Sequence, residues 1–224
     1  VVDFNTDGFL DVVAATGSVE GGTVQVLLAD GAGGFQETTI FGQREILNDI
    51  EVGLIDQDAV PDLVITGGTT AFVIFGNGAG GNGGVSLVGS LSSVTKAAIG
   101  DLNGDGFADL AFNLRTPGQI IILPGAGGRT FGPRVTLDLP AIYSSVTIGD
   151  LTADGLPDLV AGGFDCTVLV NHGDLTFQQS GGSPYNVQQG SIFPYVLADI
   201  NQDGLLDVIA PGQGIWILLN HPPG

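Results

Sequence analysis

Aspartates and an asparagine at alternating positions carry the clearest chemistry in this chain. In Asp101-Leu102-Asn103-Gly104-Asp105-Gly106-Phe107-Ala108-Asp109, oxygen-bearing side chains stand at positions one, three, five and nine. A glycine stands at six, where a sharp turn needs a residue that tolerates positive φ. Three carboxylates and an amide within nine residues repel one another unless a cation gathers them. Oxygen donors at this density suit calcium, which takes six to eight hard ligands at flexible geometry.

The stretch recurs as Asp3-Phe4-Asn5-Thr6-Asp7-Gly8-Phe9-Leu10-Asp11, Asp150-Leu151-Thr152-Ala153-Asp154-Gly155-Leu156-Pro157-Asp158 and Asp199-Ile200-Asn201-Gln202-Asp203-Gly204-Leu205-Leu206-Asp207. A degenerate copy from Leu54 to Asp62 keeps Asp56, Asp58 and Asp62 but has Leu54 and Ala59 in place of the first Asp and the Gly. The copies start at residues 3, 54, 101, 150 and 199, and a period near fifty marks a repeat architecture. The opening of the loop at 101 matches the D-x-[DN]-x-[DN]-G start of an EF-hand, but its position twelve is Phe112 rather than a bidentate Glu. Its flanks, Ala97-Ala98-Ile99 and Leu110-Ala111-Phe112, are short and apolar, so the loop is set between strands and not helices.

The elements that position the loops repeat with them. A short apolar strand enters each loop, as in Val146-Thr147-Ile148, and a second leaves it, as in Asp158-Leu159-Val160-Ala161. A third follows (Thr23 to Leu28, Ala71 to Phe75, Gln119 to Leu123, Thr167 to Val170, Ile215 to Leu219), then a Gly-rich turn such as Gly125-Ala126-Gly127-Gly128. Weaker, more polar fourth strands run over Gln36 to Ile40, Val85 to Val88, Arg134 to Leu137 and Phe177 to Gln179. Near-continuous apolar inner strands with polar outer ones are the gradient of a four-stranded blade covered on both faces. Radial repetition of such units is an all-β β-propeller. The 38 Gly and 11 Pro among 224 residues agree with a turn-rich β chain, and the 43% hydrophobic content suffices for a core.

The loop, the D-[LV]-[VAI]-x strand after it and the Gly-Gly-Phe turns together resemble the FG-GAP/VCBS repeats of integrin α-subunit propellers and many secreted bacterial proteins. The resemblance covers essentially the whole chain, residues 1–224, as one propeller domain or propeller fragment. It implies calcium held by the side chains at one, three, five and nine and by the main-chain carbonyl at seven. Carried over by position, the sites are Asp3, Asn5, Asp7, Phe9 and Asp11; Asp101, Asn103, Asp105, Phe107 and Asp109; Asp150, Thr152, Asp154, Leu156 and Asp158; and Asp199, Asn201, Asp203, Leu205 and Asp207. Thr152 departs mildly, offering a neutral hydroxyl, and the Leu54 to Asp62 loop departs strongly, so it is expected to hold no ion or a weak one. Two readings of the ring stay open: five blades closing with an incomplete seam, or, favoured here, part of a ring of about seven.

Charge and composition narrow the function. The formal net charge is −19, but each of the five loops carries three of the 24 acids, so the acidity is mainly ligand chemistry; four calcium ions would bring it to −11. Five Lys and Arg residues make nucleic acid an unsuited partner, disfavour an anionic membrane surface, and no apolar run approaches a membrane span. The single Cys166 is expected to be a small buried hydrophobe. His172 and His221 follow Asn171 and Asn220 at the same place in two repeats and are expected to be surface turn residues. Nine acids lie outside the loops (Glu20, Asp30, Glu37, Glu45, Asp49, Glu51, Asp138, Asp165 and Asp174), and no nucleophile elbow, phosphate loop or zinc signature occurs. The chain is therefore expected not to be an enzyme. Tyr143, Phe164, Tyr185, Phe193 and Trp216 are sugar-stacking candidates if they lie on a rim, but are more readily core or seam aromatics. The expected function is an extracellular (secreted or cell-surface) calcium-binding propeller that acts in adhesion or in binding a protein or glycan, with structural calcium. The alternative is a non-catalytic scaffold in a larger secreted enzyme or assembly, with further blades or domains of the same polypeptide as partners.

Overall fold

The computed structural model describes residues 1–18, 21–187, 194–211 and 214–221. Among these residues there is no helix, and hence none long and apolar enough to cross a membrane. Phe193, Glu20 and the closing Pro222-Pro223-Gly224 lie outside the described residues.

Among the described residues, five antiparallel sheets follow one another, one per repeat. The first is β1 (Val12–Ser18), β2 (Gly21–Ala29) and β3 (Phe35–Gln43), with Val2 bridged to Asp11 ahead of it. The second is β4 (Leu47–Gly53), β5 (Asp62–Gly67), β6 (Thr70–Gly76) and β7 (Asn82–Ser90). The third is β8 (Val94–Gly100), β9 (Asp109–Leu114), β10 (Gln119–Leu123) and β11 (Val135–Asp138). The fourth is β12 (Tyr143–Gly149), β13 (Asp158–Gly163), β14 (Asp165–Asn171) and β15 (Phe177–Gln179), with β16 (Tyr185–Asn186) also pairing β14. The last is β17 (Val196–Ala198), β18 (Asp207–Pro211) and β19 (Ile215–Leu218). Each acidic loop of the later four sheets sits between the first and second strands, as the repeat pattern predicts, and the loop at residue 3 lies between the bridged Val2 and β1.

The burial gradient follows the residue types. Every residue of β5, β9 and β13 is buried, whereas β7 and β11 alternate between exposed and half-buried positions, as strands with one solvated face do. The chain packs as two compact units, residues 1–97 with 126–130, and residues 98–125 with 131–224. Phe4, Val24, Val26, Leu63, Ile65 and Ile74 form the core of the first. In the second, Leu102, Ile120, Ile122 and Leu159 pack in one cluster, and Val160, Val208, Tyr195 and Cys166 in another. Cys166 is fully buried and its thiol is pushed up to about 12 by that burial, which makes it an inert packing group.

Candidate metal centres

Each intact loop is wound by its own side chains. Asp101 Oδ1 accepts the N–H groups of Gly104 (2.7 Å) and Asp105 (3.2 Å), and its Oδ2 accepts that of Gly106 (2.8 Å). Asn103 Oδ1 accepts the same Asp105 N–H at 3.0 Å, and Asp105 Oδ1 accepts the N–H of Phe107 at 2.9 Å. Short acidic side chains bonding their own backbone two to five residues on hold a turn that a regular strand could not. The same first-to-sixth bond joins Asp3 to Gly8, Asp150 to Gly155 and Asp199 to Gly204, each at 2.9 Å. The fifth-to-seventh bond recurs at Phe9, Leu156 and Leu205. The turn glycines at position six have φ of 85 to 93° (Gly8, Gly106, Gly155 and Gly204), where a side chain would be strained.

The position-nine carboxylates behave differently from the others. Asp109 is fully buried; its Oδ2 accepts the N–H of Leu102 at 2.9 Å and its Oδ1 that of Gly125, two residues past β10, at 2.7 Å. Asp11, Asp62, Asp158 and Asp207 make the equivalent pairs, with Phe4 and Ala29, Ile55 and Gly76, Leu151 and Asn171, and Ile200 and Asn220. Burial raises the carboxyl pKa of Asp62, Asp109 and Asp158, while these N–H bonds pull it back. At Asp207 the Asn220 N–H prevails and the pKa is lowered.

The donor set fits a hard divalent cation. In each intact loop it consists of oxygens only, and the oxygens of residues one and three of the loops at 3, 101 and 199 meet at the N–H of residue five. A carboxylate offers about four lone-pair sites, so the position-nine aspartate can hold two N–H groups and still face an ion. Residues seven (Phe9, Phe107, Leu156 and Leu205) are held by the N–H bonds just described. Thr152 brings its hydroxyl to 3.5 Å from Asp150 Oδ1, a looser contact than the asparagine amides make to residue five, as at Asn103 to Asp105 (3.0 Å). In the degenerate loop Asp56, Asp58 and Asp62 bring oxygens within 4.8 Å of one another, the one such cluster of three acids among the described residues. A cation is already there: Arg129 Nε donates to Asp56 Oδ2 at 2.8 Å.

Two residues that sequence reasoning passed over hold consecutive repeats together. Asn171 Nδ2 donates to the carbonyl oxygens of Leu102 (2.7 Å) and Pro157 (2.9 Å), and Asn220 Nδ2 to those of Leu151 (2.6 Å) and Leu206 (3.3 Å). The signal was the shared repeat position of the two Asn-His pairs. His172 and His221 themselves are exposed, as expected.

Outside the loops, Asp49 and Glu51 lie two residues apart on β4, and Lys96 on β8 forms an ion pair with Asp49, which is 7% exposed. Asp49 also accepts the N–H of Ala97 at 3.0 Å. Burial first, then the Asp49 charge, push the Glu51 carboxyl up to about 7, partly relieved by Lys96. Glu45 is tied to Thr69 and Thr70, Asp30 to its own turn, and Glu37 and Asp138 to strand glutamines. Of the aromatics, Tyr143 is buried, Tyr185 is half-buried, and Phe164 (72%) and Trp216 (40%) are exposed. A hollow of about 450 Å³ in the second unit is lined largely by apolar groups, among them Val168, Val170, Tyr185 and Leu218, with His221 at its edge.

Residues 101–161, from the first residue of one intact loop through the next loop into β13, match the FG-GAP-like repeat family. A comparison with curated proteins finds no match. Among solved structures the chain is similar to a lectin of Agrocybe aegerita, described for its specific recognition of non-reducing terminal N-acetylglucosamine. The TM-score is 0.62 at 19% identity, over 96% of this chain and 65% of the lectin chain. The WD40 domain of Neurospora crassa Pan2 aligns at TM-score 0.45 and 9% identity, over 92% of this chain and 62% of that one. The fold is thus a β-propeller of four-stranded blades, with about five repeats, of FG-GAP type where the family matches. The chain spans less than two thirds of the length of either solved chain.

Proposed function

We propose that this chain is a calcium-stapled propeller module that binds a protein or glycan outside the cell, with calcium in a structural role at four loops. The observation that carries the metal is the repeated winding of the loops. The first aspartate bonds the N–H groups of residues five and six in every intact copy, so oxygen ligands stand preset at one exposed turn per repeat. Bound calcium would supply the positive charge that such carboxylates lack and draw the side chains of each loop together. Extracellular calcium is abundant enough to fill such sites, which supports a secreted or cell-surface location.

The glycan reading draws on the similarity of fold to a sugar-binding lectin, and exposed Phe164 and Trp216 are the aromatic surfaces on which a sugar ring could stack. Catalysis is not part of the proposal. Glu37, Glu45 and Asp138 are engaged in pairing strands and turns, Asp49 is paired with Lys96, and the exposed histidines have no acid bonded to them among the described hydrogen bonds. The test is a glycan array and a calcium titration on the same protein. Four ions per chain and calcium-dependent glycan retention are expected; four ions with no retained glycan would direct the search to protein ligands. No ion bound at millimolar calcium would refute the metal reading.

A further inference from the structure

The second repeat presents an unusual combination. Its loop has lost the first aspartate, yet it concentrates carboxylates more tightly than any other, with Asp56, Asp58 and Asp62 within 4.8 Å of one another. Asp56 is 6% exposed at its side chain, so its charge is poorly served by water. The lost Leu54 carboxylate can no longer bond the N–H groups of residues five and six. Ala59 at position six is outside the left-handed region that the intact loops' glycines occupy, although Gln57 at position four keeps a φ of 68°. The loop therefore keeps its acids and half its winding but not the path an intact loop takes.

Arg129 fills the gap. Its Nε donates to Asp56 Oδ2 at 2.8 Å, its Nη1 donates to the Gly83 carbonyl at 3.1 Å, and its guanidinium carbon lies 4.4 Å from the centroid of the Phe75 ring. Phe75 is 2% exposed, so the guanidinium lies on a buried aromatic ring while it pairs with Asp56, one member of the acid cluster. The turn that carries it is a standard part of the repeat. Ala126 N–H bonds Thr130 O and Thr130 Oγ1 bonds Gly127 O, and in the next repeat His172 N–H bonds Thr176 O and Thr176 Oγ1 bonds Gly173 O. By that match the counterpart of Arg129 is Leu175, which is buried in the cluster that contains Leu102 of an intact loop. One turn position thus sends a leucine against a loop with the full ligand set and an arginine against the loop without it.

We infer that Arg129 is the resident cation of the second repeat, standing where the other loops take a metal ion, so that this repeat closes without calcium. The inference extends the calcium reading but does not depend on it, because its main measurement is made in chelator.

The experiment compares wild type, Arg129→Gln, Asp56→Asn and the double variant by thermal melting in excess chelator, and counts bound calcium in wild type and Asp58→Asn by native mass spectrometry. Arg129→Gln is expected to melt below wild type in chelator, and the double variant no lower than the worse single one, because both remove the same pair. The calcium count is expected to be unchanged by Asp58→Asn. Additive losses, an Arg129→Gln melting point equal to wild type in chelator, or one ion fewer in Asp58→Asn would each overturn the inference. If Arg129→Gln fails to fold, Arg129→Lys replaces it in the same cycle, since it keeps the charge and loses the fork. Failure of the other four loops to bind calcium would leave the chelator result standing and refute only the metal reading.

Discussion

Asp109 reaches back seven residues to accept the N–H of Leu102 at 2.9 Å, and the same bond ties position nine to position two in all five loops. It survives at Asp62, where the first carboxylate and the turn glycine of the loop are gone. The position-nine aspartate is therefore a clamp between the loop and the strand that follows the loop's exit strand, whatever the metal does.

That separates two substitutions within one loop. Asp109→Ala leaves a buried N–H, that of Leu102, and a half-buried one, that of Gly125, without acceptors and should cost about 2–5 kcal/mol even in chelator. Asp105→Ala should lower the melting temperature in calcium and change it little in chelator. Chemical denaturation of both variants in the two conditions makes the comparison; an Asp109→Ala loss in chelator no larger than that of Asp105→Ala would contradict the division of roles.

Chelation of the wild-type protein should lower its melting temperature. An ion that binds only the folded chain contributes about 2.7 kcal/mol per site at a hundredfold excess over Kd. The shift should therefore grow with the logarithm of free calcium. A melting curve indifferent to chelator would refute calcium as a staple of the blades.

Glu51 sets a pH dependence of its own. Its folded pKa, about 7, lies above the ordinary value of 4.5, so the folded chain holds this proton more tightly than the unfolded one. The stabilisation is complete below about pH 4.5 and is lost as pH rises through about 7. Between pH 5 and 7.5 the urea midpoint of wild type should fall further than that of Glu51→Gln. Parallel slopes for the two proteins would show that the carboxyl titrates as it does in the unfolded chain.

Asn171→Ala removes donors from two carbonyls, Leu102 O and Pro157 O, near a buried aspartate. A loss of about 1–3 kcal/mol is expected from the stranded acceptors. His172→Ala, one residue along and exposed, should stay within about 0.5 kcal/mol of wild type. Equilibrium unfolding of the pair checks whether the asparagine, and not the histidine, explains the recurring Asn-His position.

The loops, their period and the strands around them were legible in the sequence because each requirement is local. A turn glycine, oxygens at alternate positions and an apolar run after them all act within nine or ten residues, and five copies in register make the pattern hard to mistake. The burial gradient from β5, β9 and β13 outward to β7 and β11 was legible for the same reason, since residue type follows coverage of the sheet faces. What the sequence could not assign was partners distant in the chain. Arg129 lies 73 residues from Asp56, Asn171 lies 69 from Leu102, and Lys96 lies 47 from Asp49. Nothing in the local spacing of any of these residues selects its partner. The pairs exist because packing brings a turn or strand of one repeat against the loop or strand of the one before it. The role of the position-nine aspartate was decided in the same way: spacing marks it as a ligand, and only the approach of the third strand of the repeat places a second N–H on its carboxylate.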